Sequence, residues 1–209
     1  MIIIGIDPGL ANTGWGVVET RGPVCRARAY GCVTTSSHDP IDVRLGKIFN
    51  EISRAVEAYH PTQLAIEKVF YGENVRSAIA TAQARGVAIV ACAQAGLKVG
   101  EYTPMQIKQA VVGTGAADKR QVIYMVRNVL ALDHDPRPDH AADALAAAVC
   151  HANLARTINV AHQNASEAFI EVDRLQREQD LINAREVTAA ASAANRRRGE
   201  RNRARRNAS

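Results

Sequence analysis

The first apolar run of the chain ends on an acid. Ile2-Ile3-Ile4-Gly5-Ile6 leads directly into Asp7-Pro8-Gly9. A run this short and this rich in β-branched residues reads as a buried strand, and the Pro-Gly pair after it reads as a turn. Asp7 therefore sits where a strand leaves the core, a rigid place to hold a functional group. The pattern recurs. Glu67 closes the run Leu64-Ala65-Ile66, and His140 and Asp143 open the apolar stretch His140-Ala141-Ala142-Asp143-Ala144-Leu145. A spacing of i, i+3 places His140 and Asp143 on one face of a helix.

Each of these residues has a plainer reading. Asp7 suits a turn, and Glu67 suits a solvated strand end. Asp143 is harder to dismiss, because an unpaired carboxylate is costly inside an Ala- and Leu-rich helix. Asp139 follows Pro138 and fits a helix N-cap. As a set, Asp7, Glu67, His140 and Asp143 form a ligand group for hard divalent cations. Such ions activate water and stabilise the leaving oxygen in phosphodiester hydrolysis.

The order of elements supports one α/β domain. Strands are predicted over 2–7, 14–19 and 29–34, joined by short loops as an antiparallel meander. Ile41, Leu45, Ile48, Ile52 and Val56 recur at helical spacing over 41–59, and Pro61 ends that helix. A strand over 63–67 precedes an Ala-rich helix over 75–95. Gly86 inside that helix costs about 1 kcal/mol against Ala and predicts close packing there. A fifth strand over 98–102 is followed by helices over 104–112, 118–131 and 139–155. This order builds a mixed five-stranded sheet with helices on its faces.

The basic character is local. Residues 196–209 carry seven Arg against one Glu, which leaves the rest of the chain at about −1 of the total +5. The expected organisation is a domain over 1–157, a helical extension over 158–190 and an Arg-rich disordered segment over 191–209. Cys25, Cys32, Cys92 and Cys150 are widely spaced with no Cys-x-x-Cys pair. That gives no zinc signal and fits reduced thiols in the cytoplasm. No stretch reads as a signal peptide or a membrane span.

The ordered set of motifs resembles the RuvC-type Holliday junction resolvases, structure-selective endonucleases with an RNase H-like fold. The residues that carry the resemblance span most of positions 1–155. They begin with Ile4-Gly5-Ile6-Asp7-Pro8-Gly9, Thr13-Gly14-Trp15-Gly16 and Ala65-Ile66-Glu67-Lys68-Val69-Phe70. Gln83-Ala84-Arg85-Gly86-Val87-Ala88 and Ile107-Lys108-Gln109-Ala110-Val111-Val112-Gly113 follow. Ala141-Ala142-Asp143-Ala144-Leu145-Ala146 completes the set.

The resemblance implies that Asp7, Glu67, His140 and Asp143 are the catalytic and metal-binding residues, holding two Mg²⁺ ions per subunit, with Mn²⁺ an alternative. It implies symmetric cleavage of a four-way DNA junction in recombination and repair, leaving 5′-phosphate and 3′-hydroxyl ends. A near-two-fold substrate calls for a homodimer, with the 75–95 helix as its contact. Cooperation with the RuvA–RuvB branch-migration complex is also implied. Phe70 matches an aromatic that stacks at the crossover. Lys108 and Lys119 match DNA-contacting lysines, while Lys68, Arg76 and Arg120 are weaker phosphate contacts. The resemblance does not cover the Arg-rich segment, whose charge suits either salt-sensitive DNA affinity or solubility, the first being the favoured expectation.

The family often has Asp where this chain has His140. Imidazole predicts a shift toward Mn²⁺ and an acid limb in the activity as the ring protonates near about 6.5. Three other readings compete, one of them a non-catalytic nucleic-acid-binding module with a dead site, against which the intact set of four ligands argues. Asp7-Pro8-Gly9 with Gly14 and Gly16 also resembles the first phosphate loop of the sugar kinase and actin ATPases, but those need a second similar domain and do not require the His140–Asp143 pair. Small RNase H-like nucleases of the ribosomal-RNA processing type are usually shorter and lack Glu67-Lys68-Val69-Phe70 in this form.

Overall fold

The alternation of apolar residues along the strands determines which way the acids point. The computed structural model describes residues 1–69 and 75–157, together with Arg174. Five strands form one sheet: β1 (Ile2–Asp7), β2 (Asn12–Arg21), β3 (Val24–Thr34), β4 (Gln63–Glu67) and β5 (Lys98–Tyr102), in the order β3-β2-β1-β4-β5. The β1–β2 and β2–β3 pairs are antiparallel, and β4 runs parallel to β1 and β5.

Side chains alternate between faces with a period of two. Ile4, Ile6, Leu64 and Ile66 enter the core under α1 (Ile41–Tyr59) and α2 (Val75–Gln94). Ile3 and Ala65 enter the opposite core, under α3 (Pro104–Val112), α4 (Lys119–Leu130) and α5 (139–157). Asp7 and Glu67 follow Ile3 and Ala65 at even spacing, so both acids project toward the α5 face. Parallel pairing of β1 with β4 brings the two strand ends side by side.

The last core helix lies directly on the sheet. Ala141, Ala142, Ala144, Leu145, Ala146, Ala147 and Ala148 are all buried. A Cβ at Gly5 would collide with the Ala144 carbonyl, and one at Gly14 with the His140 carbonyl. The strands are bare where the helix backbone crosses them, and this close approach brings the start of α5 to the end of β1. The adjoining helices begin in capping boxes, Thr103 with Gln106 and Asp118 with Gln121, which satisfy the first free amides.

Three local expectations change. The β2–β3 hairpin is longer than its apolar residues suggest, with pairing running on to Arg21↔Val24. Cross-strand hydrogen bonds carry strands through sequence that has little strand propensity. Within the chain nothing lies over Gly86, so the close packing expected there is not made inside the domain. Asp139 is the first residue of α5, not its cap, and its carboxylate lies 3.4 Å from the Lys119 Nζ. The expectations for Phe70, for 158–190 and for 191–209 fall outside the described residues, Arg174 excepted. Among the described residues no helix is long and apolar enough to cross a membrane.

Candidate active site

The turn after β1 is pinned from beneath. Thr13 is fully buried and its hydroxyl donates to the Gly9 carbonyl at 2.7 Å. The Thr35 hydroxyl donates to the Leu10 carbonyl, and Arg44 Nε donates to the Thr35 oxygen at 2.8 Å. These bonds hold the loop that receives the chain from Asp7.

Three of the four expected ligands meet there. One ligand atom each from Asp7, His140 and Asp143 lies within 4.8 Å of the others. His140 Nδ1 is 2.8 Å from Asp7 Oδ2. With Asp7 ionised, Nδ1–H donates and Nε2 keeps its lone pair for a metal. Glu67 stands beside this trio, close enough that Asp7 and Asp143 both act on its charge. It lines two adjoining clefts. One, of about 240 Å³, is shared with Lys108, Lys119 and Asp143. The other, of about 300 Å³, is shared with Asp7, Lys68 and Thr81.

The electrostatics describe a site short of positive charge. Burial raises the pKa of Glu67 to about 7, with repulsion from Asp7 and Asp143 adding to it and Lys108 opposing it. Burial also raises Asp7; the His140 hydrogen bond offsets part of that, and Asp143 works against the offset. Lys119 Nζ reaches Asp143 Oδ2 at 3.2 Å. Burial alone would lower the Lys119 pKa, but Asp143 and Asp139 raise it. Hard oxygens crowded at low dielectric, with one imidazole and one ammonium among them, fit a divalent cation.

The basic candidates divide. Lys108 and Lys119 line the cleft with Glu67, and Lys68 lines the neighbouring one. Arg76 is exposed in the first turn of α2 and lines neither. Arg120 lies on the outer face of α4 with Tyr124 and Met125. Sequence reasoning missed Arg85, whose Nε donates to the Glu67 carbonyl at 3.0 Å. A signal was available: Arg85 is the one charged residue between Ser77 and Gln94.

A mixed five-stranded RNase H-like sheet, with Asp7 and Glu67 at adjacent strand ends and His140 and Asp143 brought against them by the last core helix, is the frame of a metal-dependent nuclease. The family model for crossover junction endodeoxyribonuclease RuvC matches residues 3–151, and the chain belongs to that family. A relative of that name from Heliobacterium modesticaldum is 49% identical over 153 residues, covering 73% of this chain and 94% of its own. One from a Roseiflexus species is 50% identical over 155 residues, covering 74% and 92%. The solved structure of Thermus thermophilus RuvC in complex with Holliday junction substrate is 39% identical with a TM-score of 0.72, covering 75% of this chain and 96% of that one. The yeast mitochondrial Holliday junction resolvase, at 11% identity and a TM-score of 0.51, shares the fold.

Proposed function

We propose that this chain resolves four-way DNA junctions by hydrolysing two symmetric phosphodiesters, with Asp7, Glu67, His140 and Asp143 as the ligands of two Mg²⁺ ions, Mn²⁺ serving as well. The observation that carries this reading is the convergence of Asp7, His140 and Asp143 within 4.8 Å, beside a Glu67 whose pKa is raised to about 7. Ions bound there would supply Lewis acidity to both the attacking water and the leaving oxygen.

The chain's own groups have separate tasks. Asp7 orients His140 through Nδ1 and leaves Nε2 free to coordinate. Lys119 balances Asp143 and Asp139 before DNA arrives, and with Lys108 it offers positive charge to an incoming phosphate. Phe70, Lys68 and Arg76 are the further proposed DNA contacts. The arginines of 196–206 would add salt-sensitive affinity.

Dimerisation through α2 is supported by its exposed apolar residues. Val75, Ile79 and Val90 are each at least half exposed, a stripe that a second copy would cover. Association with a RuvA–RuvB machine and residence in the cytoplasm rest on the family resemblance.

The site's charge implies a pH dependence. Below about 7 Glu67 holds a proton that a metal must displace. Calorimetry with Mn²⁺ at pH 6 should show proton release in buffers of different ionisation enthalpy, with affinity rising until about pH 7.5 and then levelling. Affinity flat from pH 5.5 to 8 would remove Glu67 from the ligand set.

The function itself is tested by mapping cuts on a synthetic mobile four-way junction in Mg²⁺ and in Mn²⁺, with linear duplex and RNA controls. The expected result is paired nicks at symmetric positions, absent on duplex and lost in Asp7→Asn. Cleavage of RNA with the junction left intact would point to the ribosomal-RNA processing type of nuclease.

A further inference from the structure

We infer that Arg85 is a positioning residue for the Glu67 end of β4. The inference rests on Glu67 being a metal ligand and goes beyond it by naming what holds that carboxylate in place.

Glu67 is the last residue of β4, one step past the final β1 pair, Ile6↔Ile66. Beyond it the strand has no β1 ladder to fix its peptide planes. On the β5 side the Lys68 amide donates to the Tyr102 carbonyl at 2.8 Å. From α2, Arg85 Nε donates to the Glu67 carbonyl at 3.0 Å, and an Arg85 NH₂ group pairs with the Glu101 carboxylate. Both bonds act on one planar unit, the Glu67–Lys68 peptide: Tyr102 holds its N–H and Arg85 holds its C=O, and the orientation of that plane helps set the direction of the Glu67 side chain.

Alternation along β5 supplies the anchor. Gly100 and Tyr102 face α5, where they meet His151, so Glu101 faces α2 and meets Arg85. The guanidinium suits this task because its planar fork serves a carbonyl and a carboxylate together, while an ammonium is a single compact charge on a flexible stem. The Arg85 side chain is only 20% exposed, so the bond to Glu67 is partly shielded from water. Arg85 also joins the helix proposed as the dimer contact to the strand end bearing Glu67.

The test compares Arg85→Lys, Glu101→Gln and Glu67→Gln with the wild type, using the full chain. The readouts are single-turnover cleavage at saturating enzyme, the Mn²⁺ concentration for half-maximal rate, junction Kd without divalent ions, and Tm. Removing a support of a metal ligand typically costs about 10–100-fold. Arg85→Lys should lose about that factor in rate and need more Mn²⁺, with junction Kd within about twofold. Glu101→Gln, which frees the guanidinium without removing it, should lose less in the same readouts.

A rate within twofold of wild type for Arg85→Lys, while Glu67→Gln is inactive, would overturn the inference. So would a loss that follows Kd, or one that disappears when the assay is run well below the variant's Tm. If Glu67→Gln itself cleaves normally, the reading of Glu67 as a ligand fails and this inference falls with it.

Discussion

Glu67→Gln should abolish cleavage and at the same time make the metal-free protein more stable at pH 8. The two effects have one origin. Glu67 is half-buried beside Asp7 and Asp143, and its pKa is raised from 4.5 to about 7. Between these values the folded chain holds a proton that the unfolded chain has released. A group shifted in this direction costs stability as pH rises from about 4.5 through 7, and the cost is fully present at pH 8. Gln keeps the shape and removes the charge. The variant's Tm should therefore exceed that of the wild type at pH 8 without metal, and the difference should shrink as pH falls and vanish well below pH 4.5. With saturating Mn²⁺ the order should reverse, because only the intact site gains the full stabilisation of a bound ligand. Cleavage should fall by on the order of 10³-fold or more, which is about 4 kcal/mol at 1.36 kcal/mol per decade. A lower Tm for the variant at pH 8 without metal would show that Glu67 is satisfied by the fold and is not waiting for a cation.

Gly5→Ala should be among the most damaging single methyls in the described residues, alongside Gly14→Ala. A Cβ there meets the backbone carbonyl of Ala144 and the amide of Ala148. Helix backbone cannot swing aside as a flexible side chain can, so either α5 lifts or the strand bends. Overpacking of a tight core costs about 1–3 kcal/mol and sometimes more, and a clash with main chain belongs at the upper end. The same shift would carry His140 and Asp143 away from Asp7. Chemical denaturation should show a loss of about 3 kcal/mol. Cleavage at temperatures where the variant remains folded should still fall at least about tenfold. Unchanged stability in Gly5→Ala would mean that α5 does not lie against β1 as described.

The legible part of this fold is the part written in short-range pattern. Ile41 to Val56 at helical spacing gave α1, and the short β-branched runs gave β1 and β4 with their terminal acids. His140 and Asp143 at i, i+3 could be placed on one helix face before any contact was known. Other features depend on neighbours that the sequence does not name. The hairpin extends to Arg21↔Val24 because its partner supplies hydrogen bonds that propensity does not anticipate. Gly86 invited a packing reading, whereas Gly5 and Gly14 are the positions a helix actually crosses. Arg85 looked like a charge in an apolar helix, and its meaning came only with the Glu67 carbonyl and Glu101 on either side of it. Asp139 looked like a cap, but the nearby Lys119 draws its carboxylate.

The measurement closest to the centre of this account is anomalous diffraction from crystals grown or soaked with Mn²⁺. Peaks are expected within coordination distance of Asp7, Glu67, His140 and Asp143, with His140 bound through Nε2 and Lys119 displaced from Asp143. Mn²⁺ found only on other surface acids, in crystals of protein that cleaves junctions in the same buffer, would contradict it.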